Sequence, residues 1–542
     1  MSAFTSSHRN FALPSFVLLA LAAFTMTVCA IEQSETIHRR LATTLADAPS
    51  LRLHFTLKRS SMNLYGQSQF YVFANPVVSS DNTSVIYDGY ATFLDGTTEY
   101  TYMLVNGIAY SVVSTVGNAS SLTAQCLPSI LLPPVNNIIS ALSNATTVSS
   151  AFAGNDTITC ASGILLQATL GDTTFVICSS GPDGFTVYGS DLDITVDYLT
   201  SPATITAPNL SDEAALSCET FVTPSPVSQT ALTLLTGQAI PSSFRRNLKA
   251  ASTTTLASSS CGCKSTPRPC VFFHGLGGKS EATTLQTKSR YFGDLSKNAP
   301  CCSSFQYAKL NTVDSPWTDA TLQQKVCNFA LSVSNTSSLS SRVVADTIIV
   351  THSMGGLMMA GALANGQCSF ASSTTWVSLS APMGGSMGSD YLQNACSGKN
   401  VFIRAVANLI GKCPINKATL GLAYQNGIYS TPDLNAAFDA AQSAFRSNVK
   451  AVMCSKSYSG LLSADRAVYK LGGTFINHKS KQSDGIVEYA SCTGGLPISS
   501  FGTNYNNTFY VTGLNHADTT FRHGDALFMN SHKPVKWFEC LL

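Results

Sequence analysis

One serine of the chain stands where a nucleophile could be exposed. Ser353 lies in the stretch VTHSMGGL, with an apolar run before it and Gly355 and Gly356 shortly after it. A sharp turn from a strand into a helix presents such a serine at the edge of a sheet, and small flanking residues prevent clashes with neighbouring chains. The usual pattern is Gly-x-Ser-x-Gly, and Thr351 replaces the first glycine. The stretch therefore predicts that Ser353 is a nucleophile on a sharp turn, and that the branched side chain of Thr351 crowds this turn.

A glycine-rich loop could stabilise the negative charge that such a serine creates. The apolar run Cys270–Phe273 leads directly into HGLGG, residues 274–278. Acyl transfer places negative charge on a carbonyl oxygen, and two backbone N–H groups aimed at that oxygen stabilise it. One donor comes from the residue after the nucleophile, here Met354, and the other from a loop after an earlier strand. We expect Leu276 to supply the second N–H, and an ordinary glycine-rich turn is the alternative.

Together, the two stretches resemble the lipase branch of the α/β-hydrolase superfamily. A strand followed by His-Gly-Leu-Gly-Gly, and later a strand followed by x-His-Ser-Met-Gly-Gly, is more specific than either half. The segment Leu379–Ser386 is similar to the Pro-x-x-Gly-Ser segment of many lipases. The resemblance covers residues 265–542. It implies an α/β-hydrolase domain with a mostly parallel sheet and a helical cap, and a catalytic acid and histidine that follow the serine along the chain.

The resemblance also implies which residues complete the site. Asp484, in SDGIV, matches the Asp-Gly-x-Val turn that carries the acid in many lipases, and His516, in NHAD, matches the late stretch that carries the histidine. In these roles His516 takes the proton of Ser353 and later protonates the leaving group. Asp484 orients the imidazole and stabilises its charged form.

Several residues remain alternatives for these roles. His478, His523 and His532 are also C-terminal, and Asp390 follows the third predicted strand, where some relatives carry the acid. Asp518 has two possible roles. It either lies beside the catalytic histidine or binds calcium, and the corresponding aspartate of some bacterial lipases binds calcium. Calcium needs several oxygen ligands, and no oxygen-ligand loop accompanies Asp518. We therefore expect no cofactor and no metal.

The composition bounds the size and the partners of the protein. A chain of 542 residues is too long for one ordinary domain. Charged residues make up 11% of it and its formal net charge is +2, which gives no electrostatic reason to bind nucleic acid. We expect a lipid or another acyl ester as the partner, and peripheral contact with a membrane or lipid surface is left open.

The N-terminus and the cysteines predict export. His8 and Arg9 precede an apolar run over residues 11–23, and small residues at 28–30 suit cleavage, so residues 1–30 are predicted to be a signal peptide; a retained anchor is the alternative. Removing Cys29 leaves sixteen of the 17 cysteines, four before residue 220 and twelve after residue 260. Even counts in both halves suit two separate sets of disulfides in a secreted protein.

Sequons for N-glycosylation strengthen that prediction. One sequon is expected by chance in a chain rich in serine and threonine, but seven behind a signal peptide indicate a secreted glycoprotein. The acceptor asparagines are Asn82, Asn118, Asn144, Asn155, Asn209, Asn335 and Asn506.

The first half of the chain, residues 49–216, has the pattern of strands. Residues 51–58 and 192–198 alternate between apolar and polar side chains, which places one face of each strand on a core. Asp-Gly at 95–96 and Asn-Gly at 106–107 accept the positive φ angles of tight hairpins, so neighbouring strands should be antiparallel. No catalytic constellation is visible. We expect an N-terminal antiparallel β-rich domain with an accessory or binding role.

A stretch rich in proline, serine and threonine, residues 217–262, separates the two halves. Its composition predicts a linker. Arg245 and Arg246 lie within it, and dibasic pairs on exposed linkers are common protease sites. Cleavage that separates the β-rich domain is one hypothesis, and two solvated arginines are the alternative.

From residue 263 onward, apolar runs of strand length alternate with helix-like segments. Continuous apolar runs at residues 270–273, 347–350 and 375–379 suit strands buried on both faces, as in a parallel sheet with helical crossovers. We therefore expect an α/β domain over residues 263–542. Residues 390–465 are expected to form a helical insert, a cap with an apolar lining that determines specificity.

One helix of this insert has clear signals. Thr431 can cap a helix that has Pro432 at its first position. The apolar residues of one face are Leu434, Phe438, Ala441 and Phe445.

These patterns support one leading function and two alternatives. The leading hypothesis is a secreted serine hydrolase that cleaves carboxylic esters, above all lipid acyl esters, through Ser353, His516 and Asp484. The first alternative is a glycolipid or phospholipid deacylase. The second is a non-catalytic surface-binding protein that has kept the scaffold, although a binder needs none of these residues.

Overall fold

The computed structural model describes two units of the chain. The N-terminal unit runs as far as Ser259 and includes Leu527–Met529, and the C-terminal unit comprises Ser260–Ala526 and Asn530–Leu542. The predicted signal peptide, residues 1–30, lies outside the described residues. The described residues are 44–80, 85–116, 118–127, 137–162, 164–216, 218–220, 227–238, 252–397, 413–461, 463 and 465–542.

The N-terminal unit is built on an eleven-stranded sheet in which the neighbouring strands are antiparallel, as the alternating patterns predict. The order of its strands is β6-β5-β4-β3-β2-β1-β13-β12-β11-β10-β7, and a small second sheet has the order β14-β8-β9. The strands of both sheets are β1 (Ser50–Leu57), β2 (Gln69–Val78), β3 (Val85–Asp95), β4 (Thr98–Val105), β5 (Ile108–Thr115), β6 (Asn118–Cys126), β7 (Thr146–Val148), β8 (Ser150–Ala153), β9 (Asp156–Thr157), β10 (Leu165–Leu170), β11 (Thr173–Ser179), β12 (Phe185–Gly189), β13 (Leu192–Leu199) and β14 (Thr253–Leu256).

The predicted tight turns connect these strands. Asn106 and Gly107 have φ angles of 52° and 76° and join β4 to β5, whose last and first residues, Val105 and Ile108, are paired. Two successive positive φ angles match the right-handed twist of a two-residue hairpin. This unit also has three described helices, α1 (Asn137–Ser143), α2 (Asp212–Ala215) and α3 (Gln229–Thr236).

The stretch that was predicted to be a linker is partly folded. Within residues 217–262, helix α3 and strand β14 are formed, and β14 pairs in parallel with β8. The threonines at 253–255 explain the difference, because β-branched residues favour a strand once a partner edge is present. The Arg245-Arg246 pair lies outside the described residues.

The C-terminal unit contains a seven-stranded parallel sheet with the order β16-β15-β18-β20-β21-β23-β22. Its strands, with the separate pair β17 and β19, are β15 (Arg268–Phe273), β16 (Cys302–Tyr307), β17 (Val343–Val344), β18 (Ile348–His352), β19 (Ser369–Phe370), β20 (Thr375–Leu379), β21 (Val449–Ser455), β22 (Phe501–Gly502) and β23 (Phe509–Thr512). Its described helices are α4 (Ala320–Ser332), α5 (Met354–Ala364), α6 (Met387–Ser397), α7 (Lys417–Leu420), α8 (Pro432–Asn448), α9 (Arg466–Phe475), α10 (Tyr489–Cys492) and α11 (Pro534–Leu541).

The segment predicted to be a helical insert, residues 390–465, contributes both a strand and a helix to the core of this unit. Strand β21 lies inside residues 390–465 and pairs with β20 and β23 within the main sheet. Helix α8 belongs to the core as well. Its Phe438 ring lies 5.1 Å from Trp317, and its Phe445 ring lies 5.4 Å from Trp376. The apolar face of this helix therefore covers the sheet and does not line a cap. The physical reason is that a buried central strand needs a helix packed against it.

Eight disulfides cross-link the described chain. The four cysteines before residue 220 pair with one another, and the twelve after residue 260 do the same, so the two predicted sets are confirmed. Their number fits a secreted protein. The pairs are Cys126–Cys218, Cys160–Cys178, Cys261–Cys540, Cys263–Cys301, Cys270–Cys302, Cys327–Cys368, Cys396–Cys413 and Cys454–Cys492. None of the described helices has the length and hydropathy that a membrane span requires.

The N-cap residue of helix α8 provides a test of what stabilises the C-terminal unit. Thr431 Oγ1 accepts a hydrogen bond of 3.2 Å from the backbone N–H of Leu434, and Pro432 occupies the first helical position. We predict that Thr431→Ala lowers the free energy of unfolding by about 1 kcal/mol, because one N–H at the helix start loses its acceptor.

Urea denaturation followed by tryptophan fluorescence measures this change in the C-terminal unit, where all three tryptophans lie: Trp317, Trp376 and Trp537. The matched control is Thr431→Ser, which keeps the hydroxyl and should retain most of the stability. Equal losses in both variants would contradict the capping role.

Candidate active site

The turn that carries Ser353 has a strained backbone. Ser353 lies between the end of β18 and the start of α5, with φ 54° and ψ −132°, and its N–H donates to Leu379 O at 2.9 Å. A residue other than glycine rarely adopts such a conformation, and it persists only when its surroundings enforce it. The neighbouring glycines allow the turn to pack. A Cβ atom on Gly355 would come within 2.6 Å of Phe273 O, and one on Gly356 within 2.5 Å of Ala381 Cβ.

Thr351 is accommodated at the position where the pattern has glycine. Its side chain is fully buried, and its Oγ1 accepts a hydrogen bond of 3.0 Å from Trp376 Nε1 on β20. The hydroxyl thereby satisfies an indole N–H that is buried with it. The branched side chain therefore has a structural partner next to the turn.

The structure brings Ser353, His516 and Asp484 into one chain of hydrogen bonds. His516 Nε2 lies 2.9 Å from Ser353 Oγ, and His516 Nδ1 lies 2.7 Å from Asp484 Oδ2. All three residues are buried. This is the geometry of a hydroxyl whose proton an imidazole can take, with a carboxylate that fixes the tautomer of that imidazole.

Backbone N–H groups hold the Asp484 carboxylate in place. Its Oδ1 accepts from Ile486 N at 3.0 Å and from Val487 N at 2.7 Å, within the turn that Gly485 makes with a φ of 96°. The backbone carbonyl of Asp484 also accepts from His516 N at 3.0 Å. The two charge-assisted bonds to Oδ1 fix the carboxylate, while Oδ2 remains available to accept from His516. The sharp Asp-Gly turn therefore positions Asp484 relative to His516.

The loop of His516 is held by a second carboxylate. Asp518 is fully buried, and it accepts from Leu461 N at 2.6 Å, from Ser463 Oγ at 3.2 Å and from His523 Nδ1 at 2.7 Å. Donors surround this carboxylate, whereas calcium requires several oxygen ligands. The surroundings of Asp518 therefore do not fit a calcium ion, and the residue anchors the loop.

One predicted oxyanion donor directly follows Ser353 in the chain, and the other belongs to the loop after β15. Leu276 follows β15 and lines the same cavity as Ser353, and Met354 is the first residue of α5. Neither backbone N–H donates to another atom of the described residues. Gly275 allows the loop to approach, because a Cβ atom there would lie 2.6 Å from Ser353 Cβ. The Thr312 hydroxyl fixes the loop by donating to Gly275 O at 2.8 Å.

A buried histidine links the loop of Leu276 to the backbone of His516, a link that no pattern in the sequence indicates. His352 Nε2 lies 3.0 Å from His516 O, so it donates, and in the neutral ring Nδ1 accepts from the Tyr291 hydroxyl at 2.6 Å. The Tyr291 oxygen in turn accepts from Gly275 N at 3.1 Å. This order of donors fits a neutral His352. Burial, reinforced by the neighbouring His516, holds the pKa of His352 well below its usual value.

The alternative histidines and the alternative acid have other partners. His523 bonds to Asp518, and His478 Nδ1 lies 2.6 Å from Glu488 Oε1. Asp390 accepts from Tyr424 N at 2.8 Å, and burial raises its pKa. His532 packs over Gly513, with its Nδ1 2.9 Å from Ser531 Oγ. Among the histidines that the structure describes, only His516 is hydrogen-bonded to the hydroxyl of Ser353.

A cavity of about 220 Å³ opens onto Ser353 and His516. Aliphatic side chains line much of it, together with several hydroxyl groups and one arginine. Its described lining consists of Leu276, Tyr291, His352, Ser353, Pro382, Ser386, Gly388, Ser389, Leu392, Thr419, Leu422, Tyr469, Ile486, Val487, His516, Ala517, Thr520 and Arg522.

Comparisons with known proteins add little to this geometry. No family model and no curated protein matches the chain. Among solved structures, the lipase BlEst2 of Bacillus licheniformis in its mature form covers 48% of this chain and 89% of its own, with 16% identity and a TM-score of 0.32. A likeness at this level supports no argument about fold or function.

The neutral His352 makes the stability of the C-terminal unit depend on pH. Its pKa is lower in the folded than in the unfolded state, where it is about 6.5, so the unfolded state binds the proton more tightly. The contribution of His352 to the free energy of unfolding is therefore fully present above about pH 6.5, and it decreases as the pH falls below that value. Burial also lowers the pKa of His274, which adds to the same trend.

We predict that His352→Gln flattens this dependence by up to about 1.4 kcal/mol per pH unit, because one proton uptake is removed while an amide can still donate and accept. Urea unfolding followed by tryptophan fluorescence at a series of pH values from 8 down to 5 measures the slope. An unchanged slope in the variant would show that His352 is not the group responsible.

Proposed function

We propose that the C-terminal unit is an α/β-hydrolase that cleaves carboxylic esters of lipids by means of Ser353, His516 and Asp484. The observation that carries this proposal is the continuous hydrogen-bond chain from Ser353 Oγ through the imidazole to the Asp484 carboxylate. A protein that only binds its partner has no use for a buried serine with a strained backbone next to such a pair.

The topology supports the proposal. Ser353 follows β18, His516 follows β23 and Leu276 follows β15, and all three strands are parallel members of one sheet. The carboxyl ends of parallel strands meet at one edge of the sheet, which is where α/β proteins place their ligands. Residues far apart in the sequence therefore converge on one site.

The mechanism follows from the positions of the donors. His516 Nε2 takes the proton of Ser353 Oγ while that oxygen attacks the ester carbonyl, and the carbonyl oxygen becomes an anion that the N–H groups of Leu276 and Met354 stabilise. The bond to the alcohol then breaks, and His516 returns the proton to the departing oxygen. An acyl-enzyme ester on Ser353 remains. A water molecule activated by the same imidazole releases the acid and restores the hydroxyl.

The cavity supports a lipid acyl ester as the substrate. Aliphatic side chains lie next to the serine, and burying a methylene of an acyl chain against them contributes about 0.8 kcal/mol. The aliphatic residues of the lining are Leu276, Pro382, Leu392, Leu422, Ile486 and Val487.

The location and processing of the protein are part of the proposal. Eight disulfides need an oxidising compartment, so we place the enzyme outside the cell, after removal of residues 1–30. The acceptor asparagines whose exposure the structure describes are all exposed, as glycosylation requires; they are Asn144, Asn155, Asn209, Asn335 and Asn506. The N-terminal unit is proposed to have an accessory role.

Labelling with a fluorophosphonate tests the nucleophile. We predict that the secreted protein is labelled on one serine, that Ser353→Ala abolishes the labelling, and that His516→Ala lowers both labelling and short-chain ester turnover by at least about 10³-fold, because the base is lost. Intact mass spectrometry and hydrolysis of nitrophenyl esters measure the two effects.

The matched control is Ser341→Ala, which removes an exposed serine hydroxyl from the same unit and should leave labelling and turnover at the wild-type level. Unlabelled wild-type protein would favour a non-catalytic binding protein. Labelling that survives Ser353→Ala would place the nucleophile elsewhere.

A further inference from the structure

The cavity beside Ser353 contains one permanently charged side chain. Arg522 is the only lysine or arginine among the described residues that line it, and no aspartate or glutamate is among them. A guanidinium stays charged at any physiological pH and offers five N–H donors in a fixed plane. Ester hydrolysis of an uncharged lipid does not use such a group, and the mechanism above has no role for it.

The backbone holds Arg522 at this position. The preceding residue, Phe521, has a φ of 71°, which is unusual for a bulky side chain. On the other side, Gly293 provides the space, because a Cβ atom there would lie 2.7 Å from Arg522 Cα. An unfavourable backbone conformation at Phe521 and the close approach of Gly293 therefore fix the backbone of Arg522, whose side chain lines the cavity.

The hydrogen-bonding capacity of Arg522 is only partly used. Its Nη2 bonds to Asp465 Oδ2 at 2.5 Å, and its Nε is buried with no partner in the described part of the chain. The Arg522 side chain is 18% exposed, whereas the Asp465 side chain is 37% exposed, so solvent weakens the attraction between them. The guanidinium retains both charge and donors for a second anion.

Arg522 lines the cavity together with two tyrosines. Its neighbours there include Tyr291 and Tyr469, on which its charge acts. Burial raises the pKa of Tyr291 to about 12, and the charge of Arg522 opposes that rise. Burial likewise raises the pKa of Tyr469, and the charge of Arg522 again opposes that rise. The cavity therefore has both aliphatic side chains and one cationic side chain in its lining.

We infer that Arg522 binds an anionic group on the alcohol portion of the substrate, so that the preferred substrates are acyl esters of alcohols that carry a phosphate or a carboxylate. The acyl chain lies against the aliphatic residues and the anion bonds to the guanidinium. This inference rests on the proposed ester hydrolysis and specifies its substrate class. Both anions have oxygen acceptors that match the guanidinium plane.

Three esters with the same acyl group test the inference. They are the butyryl esters of glycerol 3-phosphate, of glyceric acid and of glycerol, which differ in whether the alcohol carries a phosphate, a carboxylate or no charge. Butyrate release gives kcat/KM for each. We expect the wild-type enzyme to prefer at least one anionic ester over the neutral one, and the two anionic esters show which anion it selects.

Arg522→Gln should lower kcat/KM for the preferred anionic ester roughly 10- to 100-fold more than for the neutral ester, the range expected when a charge-assisted hydrogen bond is lost. Arg522→Lys, which keeps the charge, should retain part of the preference. Asp465→Asn should increase it, because the competing carboxylate is removed. The matched control is Arg290→Gln, which removes an exposed arginine of the same unit and should leave the preference unchanged.

The outcomes separate the two proposals. If the wild-type enzyme hydrolyses all three esters equally, or if Arg522→Gln lowers all three rates to the same extent, Arg522 acts only as a structural partner of Asp465 and the inference is wrong. If none of the esters is hydrolysed and the fluorophosphonate does not label Ser353, the proposed function itself fails. Should Arg522→Gln not fold, the wild-type preference must still decrease at high ionic strength, and a preference independent of salt overturns the inference.

Discussion

The backbone conformation of Ser353 is the constraint on which the rest of the site depends. A φ of 54° at the junction of β18 and α5 turns the side chain out of the sheet edge and leaves the N–H of Met354 free at the helix start. The conformation costs free energy that the surrounding structure must offset. The buried strand β18, its buried neighbour β20 and a helix that is buried from Met354 to Ala362 provide that support, because close-packed interiors do not relax easily.

The same constraint explains the glycines around the serine. Gly275 and Gly355 lie where the loop after β15 and the start of α5 approach each other most closely, and a Cβ atom at either position would overlap an atom of the facing chain. The stretches HGLGG and HSMGG are therefore two halves of one packing requirement. Their co-occurrence in the sequence is informative because Gly275 and Gly355 each make room for the stretch that carries the other.

Buried polar groups make up much of this site, and several of them have specific partners. Tyr291 and His352 form a directed series of hydrogen bonds from Gly275 to the backbone of His516, and Asp518 fixes the loop from the other side. Such networks define one geometry when every member is satisfied. Arg522 differs from these groups in carrying a permanent charge into the lining of the cavity with only Nη2 bonded, to Asp465, among the described residues, and that charge points to an anionic ligand.

The sequence by itself determined the chemical character of the protein: a serine on a strand-to-helix turn, glycines that allow a loop to approach, an Asp-Gly turn, an antiparallel half and a parallel half, and two sets of paired cysteines. These features depend on local conformation and on residue type. Only the tertiary structure decided which histidine lies beside Ser353, that Trp376 satisfies Thr351, that helix α8 covers the sheet, and that Arg522 enters the cavity. The physical reason is that these contacts join residues far apart in the chain, and the order of the strands in the sheet sets which of them meet.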